Sequence, residues 1–342
     1  MATFAGMVFS QLEALHKSRD KDWMIRRMNR WGGQGLPFFF MISFELDAFY
    51  AIPLHEIDPG NLQYAVGKFR QEYARPDLDH KPILLTSSPI EFTDYHQRFQ
   101  MVKEGLRQGN TFLLNLTCPT PIELNHSLPE VYHRSKALYK LCIGDHLLVF
   151  SPETFIKIHN GLIESHPMKG TIDATLPDAA RALLDDPKEK AEHYTIVDLI
   201  RNDLSMVSRD VRVEQFRYIT EIQTERGRLL QSSSRITGSL PGDYPGKIGD
   251  ILMKMLPAGS VSGAPKPKTL EIIREAEGYR RGFYTGVMGI TDGRTLDSGV
   301  MIRYIERTQQ GLVFKSGGGI TWDSDARKEY QEMIAKVYVP AL

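Results

Sequence analysis

Cysteine is nearly absent from this chain: 342 residues hold two, Cys118 and Cys142, in no metal-ligand spacing. That excludes a disulfide scaffold and a cysteine-built zinc site. An excess of either charge is missing too, since Lys plus Arg and Asp plus Glu both number 42 and no run of like charges stands out. The electrostatic footprint of a nucleic-acid binder is therefore absent, and a small-molecule partner is expected. No apolar run approaches the ~20 residues that span a bilayer. The opening MATFAGMVFSQLEALHKSRD lacks a signal-peptide core, so no membrane association and a cytoplasmic location are expected. There is no internal repeat and no Pro/Gly/Ser linker. Residues 1–35 read as a leader closed by the glycine-rich break WGGQG, and residues 36–342 as one folded domain.

What is present suits a soluble globular fold: 42% hydrophobic and 25% charged residues. PFFFMISFELDAFYAI reads as one or two strands. Tyr95, Phe99, Val102 and Leu106 recur at helical spacing between Thr93 or Asp94 as N-cap and Gly109 as stop, and the strand TFLLNLT follows. HLLVFSPETFIKIHNGLIESHP reads as strand, turn, strand with a hairpin at His159-Asn160-Gly161, delivering the chain to PMKGT. A helix is expected from about Pro187. From Phe283 to Lys315 the pattern is a meander of neighbouring strands, FYTGVMGIT, SGVMIRYIE and LVFKS. A last helix buries Tyr330, Met333, Ile334 and Val337.

Chemistry-bearing residues are scattered along this frame. Glu189 and Glu192 share one helix face, as do Glu329 and Glu332. Either pair alone is ordinarily a solvated face, but converging they make an all-oxygen site of the kind Mg²⁺ accepts. GSVSGAPKPKT places small residues and Pro265 at a helix start, a backbone cradle for an anion, and its spacing fails the Walker A pattern. Gly317-Gly318-Gly319 offers further exposed amides. Arg303, within apolar VMIRYI, calls for a carboxylate or phosphate, or else an ordinary ion pair. Lys169 in IESHPMKGT, taken alone, would be a solvated lysine beside a turn.

In register, PMKGT, KEKAEHYTIVDLIRND, LPAGSVSGAPK, RGFYTGVMGI, MIRY, SGGGI and EYQEMIAK closely resemble the chorismate-utilising enzymes over roughly residues 90–337. That family includes anthranilate synthase component I, aminodeoxychorismate synthase component I, and the isochorismate and salicylate synthases. The resemblance implies an α+β fold, one large domain of two packed antiparallel β-sheets flanked by helices, with a Mg²⁺-dependent site between them. It places Glu192 and Glu332 as metal ligands with Glu329 beside them, and Glu189 near the C4 hydroxyl of chorismate. It places Arg303, Tyr284 and Thr171, with Ser260, Gly317 and Gly319, on the substrate and its carboxylates.

The lysine decides the branch that the resemblance favours. Members that make anthranilate or isochorismate usually carry Ala in this motif, whereas aminodeoxychorismate synthases carry Pro-Ile-Lys-Gly-Thr and use the lysine as nucleophile; here Met168 replaces the Ile. The expectation is C4 amination of chorismate by way of a Lys169 adduct, leading to p-aminobenzoate and folate. The resemblance implies that ammonia would come from a separate glutamine amidotransferase subunit; no such domain is visible here, neither cysteine sitting in a nucleophile elbow. A neutral amine of lowered pKa is expected. Formation of anthranilate is the rival on the same fold, and chorismate binding without turnover is the rival of another class. Leu113, Met206 and Gln231 depart from the family pattern; Leu113, where hydrating members carry a lysine base, argues against addition of water.

Overall fold

PFFFMISFELDAFYAI folds as two antiparallel strands, Phe38–Ile42 and Phe49–Pro53, in which every residue is buried. Successive side chains leave opposite faces of a strand. Accordingly Phe38, Phe40 and Ile42 belong to one core cluster while Phe39 and Met41 belong to another. Both faces are covered, so the sequence reads as an unbroken apolar run instead of an alternation.

The computed structural model describes residues 17–18, 20–71, 81–224 and 227–340. Among them, ten strands form a first antiparallel sheet and nine a second. Phe39, Met41, Tyr50 and Ile52 of the first sheet meet Tyr64, Tyr139, Leu141 and Val149 of the second in the core between the sheets. The outer face of the first sheet packs on helices Lys21–Gly33, Pro187–Ser205 and Ile248–Met255. That of the second packs on Phe92–Arg107, Lys266–Glu277 and Ala326–Ala335. The architecture is the α+β pair of packed sheets flanked by helices.

Residues 1–16 of the expected leader lie outside the described residues. Its helix Lys21–Gly33, capped by the Asp20 side chain, buries Met24, Met28 and Trp31 in the first core, so the segment ahead of Gly35 packs as part of the fold. The hairpin turn at Asn160-Gly161 forms where expected, between Thr154–His159 and Leu162–Ser165. Asp186 caps the Pro187–Ser205 helix by accepting the Glu189 amide. No helix among the described residues is long and apolar enough to cross a membrane.

The meander requires a correction. Val287–Thr291 pairs with Leu296–Val300 in the first sheet, and Tyr304–Thr308 pairs with Gly311–Ile320, but in the second sheet. SGVMIRYIE is thus two strands in different layers, broken at Met301–Arg303. Arg303 makes the break with a left-handed backbone, φ 52°, a conformation that costs a side-chain-bearing residue about 1–2 kcal/mol. Arg303 therefore lies at the crossing between layers and outside any strand.

Candidate active site

The crossing opens onto a cavity of about 620 Å³, within the usual range for a small-molecule site. All eleven residues singled out above line it: Lys169, Thr171, Glu189, Glu192, Ser260, Tyr284, Arg303, Gly317, Gly319, Glu329 and Glu332. Each reaches it through a local device. The Met168–Asp173 strand pairs with Gly227–Ser239, and its register slips between Met168 and Thr171, which turns Lys169 and Gly170 out of the ladder. Gly170 has φ 79°, and a Cβ there would stand 2.8 Å from Glu189 Oε2, so glycine is what lets the helix carboxylate approach the strand.

Lys169 Nζ lies 2.5 Å from Glu192 Oε2, with side-chain exposures of 27% and 8%. Burial on its own would lower the amine's pKa, but Glu192, with Glu189 and Glu332 further off, outweighs it and holds the pKa above the ordinary lysine value. The expected lowering is therefore reversed, because the carboxylate assigned to the metal pairs with the amine and favours its protonated form. The Lys169 amine and Leu113 Cδ1 also flank Gly319, at 3.7 and 3.2 Å from where a Cβ on it would sit. Opposite, Gly318 faces the last helix: its Cβ position is 3.4 Å from Glu329 Oε2 and 3.9 Å from Glu332 Oε1. Arg303 lays its guanidinium over the Tyr338 ring at 5.2 Å. Tyr284 is buried against Tyr304, and its neighbour Thr285 is also left-handed, φ 59°.

Three cavity residues escaped the sequence reading. Lys336 pairs with Glu332 at 2.7 Å and donates to the Gly317 carbonyl at 2.8 Å; burial, opposed by Glu332, depresses its pKa. The signal was the four-residue Glu332–Lys336 helical spacing. Glu153, between two strands in SPETF, accepts a short hydrogen bond from Ser260 Oγ, and burial raises its pKa despite that bond and the nearby Arg303. Lys315 reaches Glu306 at 2.7 Å and the Arg281 carbonyl at 2.9 Å. Behind this wall the buried Arg281 donates to Glu277, Val261 O, Asn115 O and Thr285 Oγ1, tying several cavity-bearing segments together.

The donor chemistry suits a hard divalent cation, since the described lining residues offer carboxylates and neither His nor Cys. No three acidic, His or Cys side chains among the described residues converge into a ready-made cage. Glu192 and Glu332 both line the cavity, each paired with a lysine.

Such a fold and such a site, an acidic and basic cavity between two packed antiparallel sheets, define a class of enzymes acting on small anionic substrates. The chain belongs to the chorismate binding enzyme family, which matches it over residues 26–341, and is thus an enzyme of chorismate. A Haemophilus influenzae protein described as an uncharacterized PabA-like protein is 48% identical over 317 residues, covering 92% of this chain and 96% of that one. Aminodeoxychorismate synthase component 1 of Bacillus subtilis is 31% identical over 275 residues, 75% of this chain but 57% of its own length. Among solved structures, the menaquinone-specific isochorismate synthase of Escherichia coli superposes with a TM-score of 0.68 at 15% identity over 94% of this chain and 82% of that one, a likeness of fold alone. Anthranilate synthase component I of Streptococcus pneumoniae gives a TM-score of 0.64 at 28% identity over 76% of this chain and 60% of its own.

Proposed function

We propose that the protein is the chorismate-aminating component of an aminodeoxychorismate synthase, converting chorismate and ammonia to 4-amino-4-deoxychorismate for p-aminobenzoate and folate synthesis. The observation that carries this reading is Lys169, a primary amine standing in the cavity 2.5 Å from Glu192; a metal ion drawing on that carboxylate would weaken the ion pair and favour the neutral, nucleophilic amine. Arg303 and Lys336, with the amides of Gly317 and Gly319, supply the positive wall that a dicarboxylate requires. Mg²⁺ held by Glu192 and Glu332, with Glu329 beside them, would offset substrate carboxylate charge and help the C4 hydroxyl leave.

In the first half-reaction the lone pair of neutral Lys169 forms a bond to C2, both conjugated ring double bonds shift, and the C4–O bond breaks. The departing hydroxyl needs a proton. Glu189 is one carboxyl at hand, and Glu153 is the better donor because burial raises its pKa and so favours the acid form. The hydroxyl leaves as water and Glu153 is left as a carboxylate. Ammonia then bonds to C4 and the C2–N bond breaks, releasing the lysine. Ammonia would be delivered by a glutamine amidotransferase subunit: both cysteines of this chain are buried, with Cys118 pushed up to about 12 and Cys142 also raised by burial, which unfits them as glutaminase nucleophiles. The test is incubation with chorismate and Mg²⁺ without ammonia. An adduct of protein plus chorismate minus water should form on the Lys169 peptide and be absent in Lys169→Ala. Aminodeoxychorismate made by Lys169→Ala at the wild-type rate would return the choice to anthranilate.

A further inference from the structure

Beside the catalytic cavity, sharing Glu153, Gly259 and Ser260 with it, lies a recess of about 20 Å³, room for one water-sized molecule. Every other residue around the recess is buried. Two segments that the mechanism leaves without a task meet there. Asp203, from LIRND, pairs with Lys266, from GAPK, at 2.7 Å, and Lys266 also donates to the Met255 carbonyl. The other oxygen of Asp203 lies 3.0 Å from where a Cβ on Gly259 would stand, and so belongs to the recess wall.

The wall is rich in acceptors. Ser165 spends its hydroxyl hydrogen on the Phe155 carbonyl, and Ser260 spends its own on Glu153. The Tyr139 hydroxyl donates to Asp297, which leaves Thr154 to donate to Tyr139. Asp203 is balanced by Lys266, so a neutral occupant suits the recess. Once Glu153 has given up its proton, the polar side chains around this space present oxygen lone pairs only, among apolar Phe155, Pro167, Ile200, Met255 and Ala258. Water brings two donors to such a place and ammonia brings three, with its lone pair left over.

We propose that this recess is the binding site for ammonia, a station from which it reaches C4 of the substrate; the inference rests on the amination reading above. In that step the ammonia lone pair forms the C4–N bond, both ring double bonds shift back, and the C2–N bond breaks with its electron pair staying on Lys169. The new C4 ammonium passes one proton to the Glu153 carboxylate, restoring the acid for the next turnover. The protons that Glu153 gives and takes balance over the two half-reactions.

The experiment is steady-state kinetics of the full chain with ammonium chloride as nitrogen source at fixed pH, for the wild type, Asp203→Asn and Ala258→Val. The first variant removes an anionic acceptor, and the second fills the recess with extra methyl groups without breaking the Asp203–Lys266 pair. In Asp203→Asn the KM for ammonium should rise about tenfold, the effect of one lost charge-assisted hydrogen bond, and in Ala258→Val, where the occupant itself is crowded out, by at least as much. The chorismate KM and the formation of the Lys169 adduct without ammonia should stay as in the wild type. Aminated product with an unmoved ammonium KM in Ala258→Val, or with both KM values rising together, overturns the recess alone. A wild-type protein that yields no aminated product with ammonium chloride overturns the amination reading and the recess with it.

Discussion

Replacing Arg303 by Ala and, separately, by Gly isolates two things that this residue does. Both changes remove the guanidinium from the cavity and from the Tyr338 ring. They differ in the backbone, because position 303 is left-handed at φ 52°. Alanine retains a strain of roughly 1–2 kcal/mol that glycine does not feel. Glycine gives back about 0.5–1 kcal/mol through the greater freedom of its unfolded chain. The Gly variant should therefore be the more stable by about 0.5–1 kcal/mol, seen as a melting temperature higher by about 1 °C in a chain of 342 residues. Activity should not follow stability. Both variants lose charged hydrogen bonds to a substrate carboxylate, each worth about 1.5–3 kcal/mol, so kcat/KM for chorismate should fall by at least about tenfold in each. Differential scanning calorimetry and steady-state kinetics on the two proteins measure both quantities. Equal or greater stability in Arg303→Ala would refute the strain argument, and wild-type kcat/KM in either would remove Arg303 from substrate binding.

Other expectations follow from buried groups. His193 is buried, bonded to Ser234 Oγ at 2.6 Å, and burial, with Arg217 adding to it, drops its pKa from 6.5 to about 4. The unfolded chain binds this proton first as the pH falls, so stability should decline from pH 6.5 to 4 by a total approaching roughly 3 kcal/mol. Urea melts of His193→Gln should show a flatter acid limb, and an unchanged limb would contradict the assignment. Arg281→Met leaves Glu277 buried without its cation and should destabilise by about 3–5 kcal/mol, with part recovered in the double variant Arg281→Met/Glu277→Leu; an additive loss in denaturation experiments would show that the pair is not coupled. Glu332→Ala, at a side chain 57% exposed, should keep its melting temperature and lose Mg²⁺-stimulated turnover, and full turnover would dismiss it as a ligand.

The site was legible to the extent that its residues lie in short motifs with characteristic neighbours. Glu189 and Glu192 sit in a helix whose start Pro187 and Asp186 announce, and the Lys169 strand follows a hairpin marked by Asn160-Gly161. The break at Met301–Arg303 was not legible. Both flanking strands begin or end in residues buried on both faces, so no alternation marks the change of sheet. The turn itself uses an arginine where propensity would look for glycine or asparagine. Glu153 was missed for a related reason: in SPET it resembles turn punctuation, and only the folded chain shows it buried against Ser260. The raised pKa of Lys169 depends on the Lys169–Glu192 contact, which no local pattern encodes.

The two sheets are interleaved along the chain, and this bears on how the protein can be made. The early strand Phe38–Ile42 finds its partner in Val287–Thr291, and Leu113–Leu124 is completed by Gly311–Ile320. On a ribosome, neither layer can close until nearly the whole polypeptide has emerged, so the nascent chain carries unpaired apolar strands through most of its synthesis. Contacts this distant in sequence fold slowly and expose aggregation-prone edges meanwhile. The same interleaving makes the C-terminal fifty residues indispensable to both layers at once. A chain stopped before residue 287 would lack a central strand of each sheet, and no smaller autonomous unit bearing half of the cavity can be cut from it.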